Sequence, residues 1–290
     1  MDAIARRKAA QQAKYGTLTS RPSEVERVLA LPRNATVPAF DLSSKLRPNQ
    51  KGIALRPVQE HALSVIASVG GLVGAIGVGH GKSYIALLAG LAGGADSVVV
   101  LVSPATVPYM LKLLEDLERR YTMPRVRVVS WGRLSAQDAG EMLNEWSQFL
   151  SGKGMLVADE AHFARNQDAA RTRRLRVWLD YHPHVKFVAL SGTLTTRRLT
   201  DFAWIANRAL GDRSPVPAGE VCAAWDRVLA NEMQAVADFG QCRPLLEWAG
   251  SQNVPKSVGL VLPEPVQVAV RQAFGERLRS APGVVVTDTA

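Results

Sequence analysis

The sequence has few cysteines and no long apolar runs, and each scarcity excludes a class of protein. Its 290 residues contain only two cysteines, Cys222 and Cys242, too few for a disulfide framework, and no Cys/His cluster has metal-site spacing. No apolar run is long enough to cross a bilayer. The basic N-terminus lacks the hydrophobic core of a signal peptide. We therefore expect a cytoplasmic protein in a reducing compartment, with no membrane partner.

An excess of positive charge is the main feature of the composition. The chain has 35 Lys and Arg residues against 26 Asp and Glu residues, which gives a formal net charge of +9. An excess of this size favours a polyanionic partner such as nucleic acid, and a solvated basic surface is the alternative. The hydrophobic fraction of 47% is sufficient for a substantial core.

A glycine-rich segment at residues 77–83 reads Gly-Val-Gly-His-Gly-Lys-Ser and leads into an apolar helical pattern. Glycines let backbone N–H groups approach an anion, and a following helix N-terminus adds partial positive charge. A lysine can neutralise β- and γ-phosphates, and a serine hydroxyl can bind Mg²⁺. The usual pattern has glycine where this chain has Ile76, so an ordinary glycine-rich turn is the alternative. The candidate nucleotide-binding residues here are Gly77, Gly79, His80, Gly81, Lys82 and Ser83.

Apolar runs with strand character alternate with helical patterns over residues 51–211. The strands are predicted at residues 71–76, 97–102, 126–131, 154–158 and 185–190. This alternation predicts an α/β fold, in which helices cover both faces of a central parallel sheet to form three layers. Ligands bind such sheets at the carboxyl ends of the strands. Residues 212–290 are predicted to be mainly helical, with an extended stretch at 254–265 and a further strand at 284–287.

Polar residues directly follow two of these predicted strands. Asp159 and Glu160 end the fourth strand. A carboxylate there can hold Mg²⁺ through water beside Ser83, and its neighbour can orient or deprotonate an attacking water. Ser191 and Thr193 follow the fifth strand, where hydroxyls can hydrogen-bond the carboxylate or histidine of the neighbouring strand. An acidic pair that caps a helix and an ordinary tight turn are the alternatives for these two segments.

These residues also carry a resemblance to a known family. Lys82 in its loop, residues 159–162 (Asp-Glu-Ala-His) and residues 191–193 (Ser-Gly-Thr) resemble motifs I, II and III of superfamily-two helicases. The Swi/Snf-type translocases, including their phage and bacterial relatives, are the more similar group. Residues 55–59 resemble the upstream motif whose glutamine reads adenine. Further segments that resemble this group are residues 130–134, 161–166, 171–172 and 190–194, the last with Leu194 where proline is usual.

The resemblance implies the ATP-binding, RecA-like lobe of a P-loop NTPase, with ATP and Mg²⁺ as cofactors and DNA as partner, in a bacterial or phage-infected cell. Duplex DNA is favoured over a single strand. The implied catalytic residues are Lys82, Asp159 and Glu160, and the implied metal ligands are Ser83 and Asp159. The implied adenine contacts are Arg56 and Gln59, and the implied coupling residues are His162, Ser191 and Thr193. The residues implied to lie along nucleic acid are Ser103, Pro104, Thr106, Ser130, Trp131, Arg165 and Asn166. For the Trp131 ring we expect core packing rather than base stacking.

A helicase-type motor, as the resemblance implies, also needs a second RecA-like lobe that supplies arginine fingers. We expect a basic arm at residues 1–50, the ATP-binding lobe at 51–211, a mostly helical connector at 212–290, and no second lobe. Residues 272–279 resemble an arginine-finger motif with disturbed spacing, and we reject them because no alternating strands precede them. The second lobe is therefore expected in a separate chain or in a truncated remainder.

Three functions are consistent with these features. The leading hypothesis is the ATP-binding first lobe of a DNA-dependent ATPase, with weak or no turnover alone. The main alternative is a non-catalytic DNA- or protein-binding module built on half of a helicase. An unrelated P-loop ATPase is disfavoured by Gln59 ahead of the loop and by the context of His162.

Overall fold

The computed structural model describes residues 23–33, 36–192, 198–230, 239–250 and 264–287, and it confirms the predicted α/β class. The strands are β1 (Leu72–Ala75), β2 (Ser97–Val102), β3 (Arg125–Ser130), β4 (Gly154–Asp159), β5 (Lys186–Ser191) and β6 (Val284–Val286). All six form one parallel sheet, in the order β3-β2-β4-β5-β1-β6. The carboxyl ends of β1, β4 and β5 are therefore neighbours at one edge of the sheet.

Ten α-helices occur within the described ranges, and most connect successive strands. They are α1 (Glu24–Leu29), α2 (Pro57–Val69), α3 (Lys82–Gly93), α4 (Val107–Arg120), α5 (Ala139–Phe149), α6 (Ala170–Tyr181), α7 (Thr200–Leu210), α8 (Gly219–Ala230), α9 (Arg243–Trp248) and α10 (Glu264–Arg279). None of these helices has the length and apolar character needed to span a membrane.

Strands β1, β2 and β4 are buried along their whole length, which explains their apolar runs, whereas the edge strand β3 is partly exposed. Along β2, Val98, Val100 and Val102 pack with α2, α3 and α4 on one side of the sheet. Val99 and Leu101 face the other side, where α5 and α6 lie. Helices α7 to α10 cover that second side near β1 and β6. The result is a three-layer lobe in which side chains alternate between two cores.

Helices α8 to α10 form a helical extension that packs against α1 and α7. Trp225 is fully buried there and meets the rings of Trp248 and Phe274 edge-on, at centroid distances of 5.4 and 5.8 Å. After α10 the chain returns to the sheet, where Val284 of β6 pairs with Val73 of β1. The strand predicted at 284–287 is thus present, and it belongs to the same sheet as the glycine-rich loop.

The segment that resembles an arginine-finger motif, residues 272–279, is part of α10. The Arg277 guanidinium is buried, donates through Nη2 to Leu31 O and lies 5.4 Å from the centroid of the Trp248 ring. Arg277 therefore anchors α1 to the extension and does not face the carboxyl edge of the sheet. Its environment agrees with the rejection of this segment as a finger.

Parts of four predictions lie outside the described residues. These parts are residues 1–22 and 34–35 of the basic arm, the coupling residue Thr193 with its neighbour Leu194, residues 231–237 of a predicted helix, and residues 254–263 of the extended stretch.

Candidate active site

The glycine-rich loop joins the end of β1 to the start of α3. Gly79 and Gly81 adopt left-handed backbone conformations, with φ angles of 83° and 76°. A Cβ atom at Gly81 would lie 2.1 Å from Gln59 Nε2, so a side chain there would have to displace the Gln59 amide. Because α3 begins at Lys82, its positive N-terminal end points at this loop. The loop therefore has the backbone geometry of an anion cradle.

Ile76 occupies the position where the usual phosphate-loop pattern has glycine. Its side chain is fully buried in the core on the α3 side of the sheet, and its amide donates to Ser191 O at 3.0 Å. Its backbone stays outside the left-handed region. An isoleucine is therefore compatible with this loop. Its side chain packs in the core like those of the preceding strand, and its backbone does not need the positive φ that favours glycine.

Lys82 places its ammonium group between the loop and the end of β4. Nζ donates to Ile76 O at 3.1 Å and to Gly77 O at 3.5 Å, and it lies 3.7 Å from Glu160 Oε1. The Lys82 side chain is only 10% exposed. A cation held among these oxygens is positioned to interact with phosphate oxygens brought into the loop.

Arg56 and Gln59 brace the loop from the N-terminal end of α2. The buried Gln59 amide donates to Gly81 O at 3.1 Å, and its Oε1 accepts from the Arg56 backbone N–H at 2.7 Å. The Arg56 guanidinium donates to Gly79 O. The structure thus brings both predicted adenine-contacting residues to the glycine-rich loop. There, both side chains donate hydrogen bonds to backbone carbonyls of the loop.

Asp159 ends β4 as a nearly buried carboxylate, with 6% of its surface exposed. Burial raises the pKa of Asp159 to about 6, the neighbouring Glu160 adds to the increase, and the charge of Lys82 opposes it. The Trp131 indole N–H donates to Asp159 O at 2.7 Å and fixes the backbone at this point. The Asp159 carboxylate is therefore held in a fixed place. Its ionised form is unfavourable in this buried position unless a cation lies nearby.

The Glu160 carboxylate lies between Lys82 and His162. The Glu160 backbone is left-handed, with φ of 54°, a conformation that costs a non-glycine residue about 1–3 kcal/mol. This turn directs Oε1 towards Lys82 at 3.7 Å and Oε2 towards His162 Nδ1 at 3.2 Å. His162 Nδ1 also lies 3.1 Å from Ser191 Oγ at the end of β5. The predicted catalytic and coupling residues that the structure describes are therefore one contiguous group.

The predicted nucleic-acid residues lie further along the same edge. Five of them lie in two short segments at the carboxyl ends of β2 and β3. The Ser103 hydroxyl lies 2.6 Å from the Thr106 hydroxyl across a turn that contains Pro104. Ser130 ends β3, and the Trp131 ring is buried in the core, 2% exposed. The exposed candidates after β4 are Arg165 and Asn166.

Thr287 is a site residue that sequence reasoning missed. Its Oγ1 accepts a hydrogen bond from Gly77 N at 2.9 Å, and its own amide donates to Ala75 O at 2.9 Å. The available signal was a hydroxyl residue directly after the apolar run 284–286. That signal does not reveal which strand lies next to β1, so it could not assign Thr287 to the loop.

The residues present fit a magnesium–nucleotide complex. Ser83 lies in the first turn of α3 and Asp159 at the end of β4, and both offer the oxygen ligands that Mg²⁺ prefers. Within the described part of the chain, no group of three or more His, Cys, Asp or Glu residues could hold a metal ion. Two protein oxygens suit Mg²⁺, which commonly takes its remaining ligands from water and substrate phosphates.

No protein-family model and no curated protein matches this chain.

Replacing Asp159 with asparagine is expected to stabilise the nucleotide-free protein at neutral pH. Because the folded-state pKa of Asp159, about 6, lies above the ordinary aspartate pKa of 3.8, the protonated carboxyl favours folding at low pH. That contribution is lost as the pH rises through 6. We expect Asp159→Asn to gain about 1–3 kcal/mol in unfolding free energy relative to wild type between about pH 4 and pH 7.

Urea unfolding of both proteins across this pH range measures the effect. Asp168→Asn is the matched control, because Asp168 is exposed on the loop before α6. An Asp159→Asn difference that does not change with pH, or one equal to the control, contradicts the expectation.

Proposed function

We propose that this chain is the ATP-binding first lobe of a DNA-dependent ATPase of the helicase or translocase type, working in the cytoplasm. The observation that supports the proposal best is the contiguous group of Lys82, Glu160, His162 and Ser191 beside the glycine-rich loop. These residues come from three separate segments of the sequence. If the glycine-rich segment were an ordinary turn and the acidic pair only capped a helix, these three segments would not need to contact one another.

The proposed roles follow from the position of each group. The loop backbone and the N-terminus of α3 bind the phosphates, and Lys82 neutralises their charge. The Glu160 carboxylate, held away from the β4 backbone by its left-handed turn, orients and deprotonates the attacking water. Ser83 and Asp159 hold Mg²⁺, which supplies charge stabilisation to the transferred phosphoryl group.

The link to DNA is proposed to run through His162. Its Nδ1 lies within hydrogen-bond distance of both Glu160 and Ser191 and so connects β4 with β5. A shift of either strand end on DNA binding changes the position of the catalytic carboxylate. The exposed Arg165, three residues beyond His162, and the net charge of +9 support phosphate contact without sequence reading.

A second lobe is proposed to complete the site. The described strands form one sheet, and the only arginine-finger-like segment among the described residues is packed against α1 and Trp248. An arginine finger contributes about 10³–10⁵ to the turnover number in related chemistry. We therefore expect the chain to bind ATP on its own and to hydrolyse it weakly.

The test measures ATP binding by the full chain with Mg²⁺, and then turnover with and without duplex DNA. Both measurements are repeated with any second-lobe polypeptide encoded in the neighbouring reading frame. We expect binding by the chain alone and DNA-stimulated turnover in the combined sample. No ATP binding, or no turnover with a competent second lobe present, contradicts the proposal.

The alternative function is a non-catalytic DNA- or protein-binding module, and the net charge of +9 supports DNA binding by such a module as well. It predicts DNA binding that neither nucleotide nor Glu160→Gln alters. Titration of the chain with labelled duplex DNA, in the presence and absence of ATP, separates the two functions.

A further inference from the structure

Thr287 makes two hydrogen bonds at the point where β1 becomes the glycine-rich loop. Its amide donates to Ala75 O, and its Oγ1 accepts from Gly77 N, both at 2.9 Å. The first bond continues the β1–β6 pairing by one residue. The second bond is made by the side chain, so it depends on the hydroxyl and is not provided by the strand itself.

The register of β6 determines where this hydroxyl lies. Val284 packs into the core on the α7 side of the sheet and Val285 into the core on the α2 and α3 side. Thr287, two residues after Val285, therefore faces the side from which the loop leads into α3. A register shift of one residue would turn the hydroxyl to the opposite face.

The start of β6 is held at a fixed position by close packing. Val73 N donates to Gly283 O at 2.9 Å. Gly283 has a φ of 93°, and a Cβ atom there would lie 2.4 Å from a Leu210 side-chain carbon. Upstream, α10 is anchored by the Phe274 contact with Trp225. The segment that leads into β6 and Thr287 is therefore fixed at its upstream end.

We propose that Thr287 is a positioning residue of the phosphate loop, a role that depends on the nucleotide-binding function proposed above. Gly77 is buried, and its N–H is occupied by the Thr287 hydroxyl. Gly77 therefore shapes the loop, and the phosphate-facing amides begin after it. The segment of α10, β6 and Thr287 sets the loop geometry through this hydroxyl. It therefore affects the affinity for nucleotide as well as the stability of the fold.

Removing the hydroxyl leaves a buried N–H without a partner at the first residue of the loop. The loop can satisfy this N–H only by leaving its anion-binding geometry, and that change weakens phosphate binding. Thr287→Val preserves the shape and strand preference of the side chain and removes only the hydroxyl. Thr287→Ser restores the hydroxyl and is the rescue variant.

The experiment measures the binding of ATP and of inorganic tripolyphosphate to the full chain by calorimetry. We expect Thr287→Val to weaken both ligands by about three- to tenfold, and Thr287→Ser to stay within about twofold of wild type. Thr122→Val is the control, because Thr122 is exposed at the amino-terminal edge of the sheet. A merely structural role would lower the unfolding free energy without affecting tripolyphosphate binding.

Hydrogen exchange without nucleotide tests the contact independently. The peptide that contains Gly77 should exchange faster in Thr287→Val than in wild type or Thr287→Ser. Unchanged tripolyphosphate affinity in a folded Thr287→Val protein overturns the inference. If wild-type protein binds neither ATP nor tripolyphosphate, the proposed function itself fails, and the inference fails with it.

Discussion

Replacing Glu160 with glutamine lowers the rate of ATP hydrolysis by about two to four orders of magnitude, the contribution typical of a general base. Glutamine has nearly the same size and keeps an oxygen acceptor at this position beside Lys82 and His162. It cannot accept the proton of the attacking water. Removal of the Glu160 charge also removes one cause of the raised pKa of Asp159. We expect nucleotide binding to be retained because the glycine-rich loop and Lys82 are unchanged.

Single-turnover hydrolysis with excess protein measures this effect even where the isolated chain is slow. Glu118→Gln is the matched control, because Glu118 is exposed on α4 and faces solvent. Equal hydrolysis rates for Glu160→Gln and wild type would remove Glu160 from the mechanism. A parallel loss of ATP binding would instead assign it a role in holding the loop through Lys82.

Replacing Lys82 with alanine weakens ATP binding by about 10- to 100-fold, as expected when a charge-assisted hydrogen bond to a phosphate is lost. The effect increases with the number of phosphates, so ADP loses less affinity than ATP and adenosine loses none. Lys82 also neutralises the carboxylate of Glu160 at 3.7 Å, which would otherwise repel the incoming phosphates.

Equilibrium titration of the Lys82→Ala variant with adenosine, ADP and ATP measures this dependence. Lys112→Ala is the control, because Lys112 is an exposed lysine on α4. Unchanged ATP affinity in Lys82→Ala would contradict the proposed phosphate site. An equal loss for adenosine and ATP would indicate a general collapse of the loop.

The local parts of the site could be read from the sequence because each depends on neighbouring residues. The glycine pattern before Lys82 predicts a loop whose backbone N–H groups can approach an anion, and in the structure Gly79 and Gly81 adopt left-handed conformations there. The β-branched run 97–102 predicts a strand buried on both faces, and β2 has these limits. The apolar run 154–158 places Asp159 at the end of a strand. Parallel sheets bind ligands at the carboxyl ends of their strands, so Asp159 is a candidate site residue.

The contacts that the sequence left unassigned depend on which strands become neighbours. Gly77 and Thr287 are 210 residues apart, and they meet only because β6 pairs with β1. Local propensity contains no information about strand order, since β6 has the same apolar character as the other strands. The arginine-rich end of α10 is a similar case, because only the packing of α1 places Arg277 beside Leu31.

The sequence by itself determined the α/β class and the positions of the strands. It also determined which glycine-rich, acidic and histidine residues are candidates for the site, because hydrophobic period and residue chemistry are local properties. Only the tertiary structure decided that Glu160 lies between Lys82 and His162, that burial shifts the pKa of Asp159, and that Thr287 holds Gly77. Distances and burial arise from the packing of segments far apart in the chain, and no local pattern specifies them.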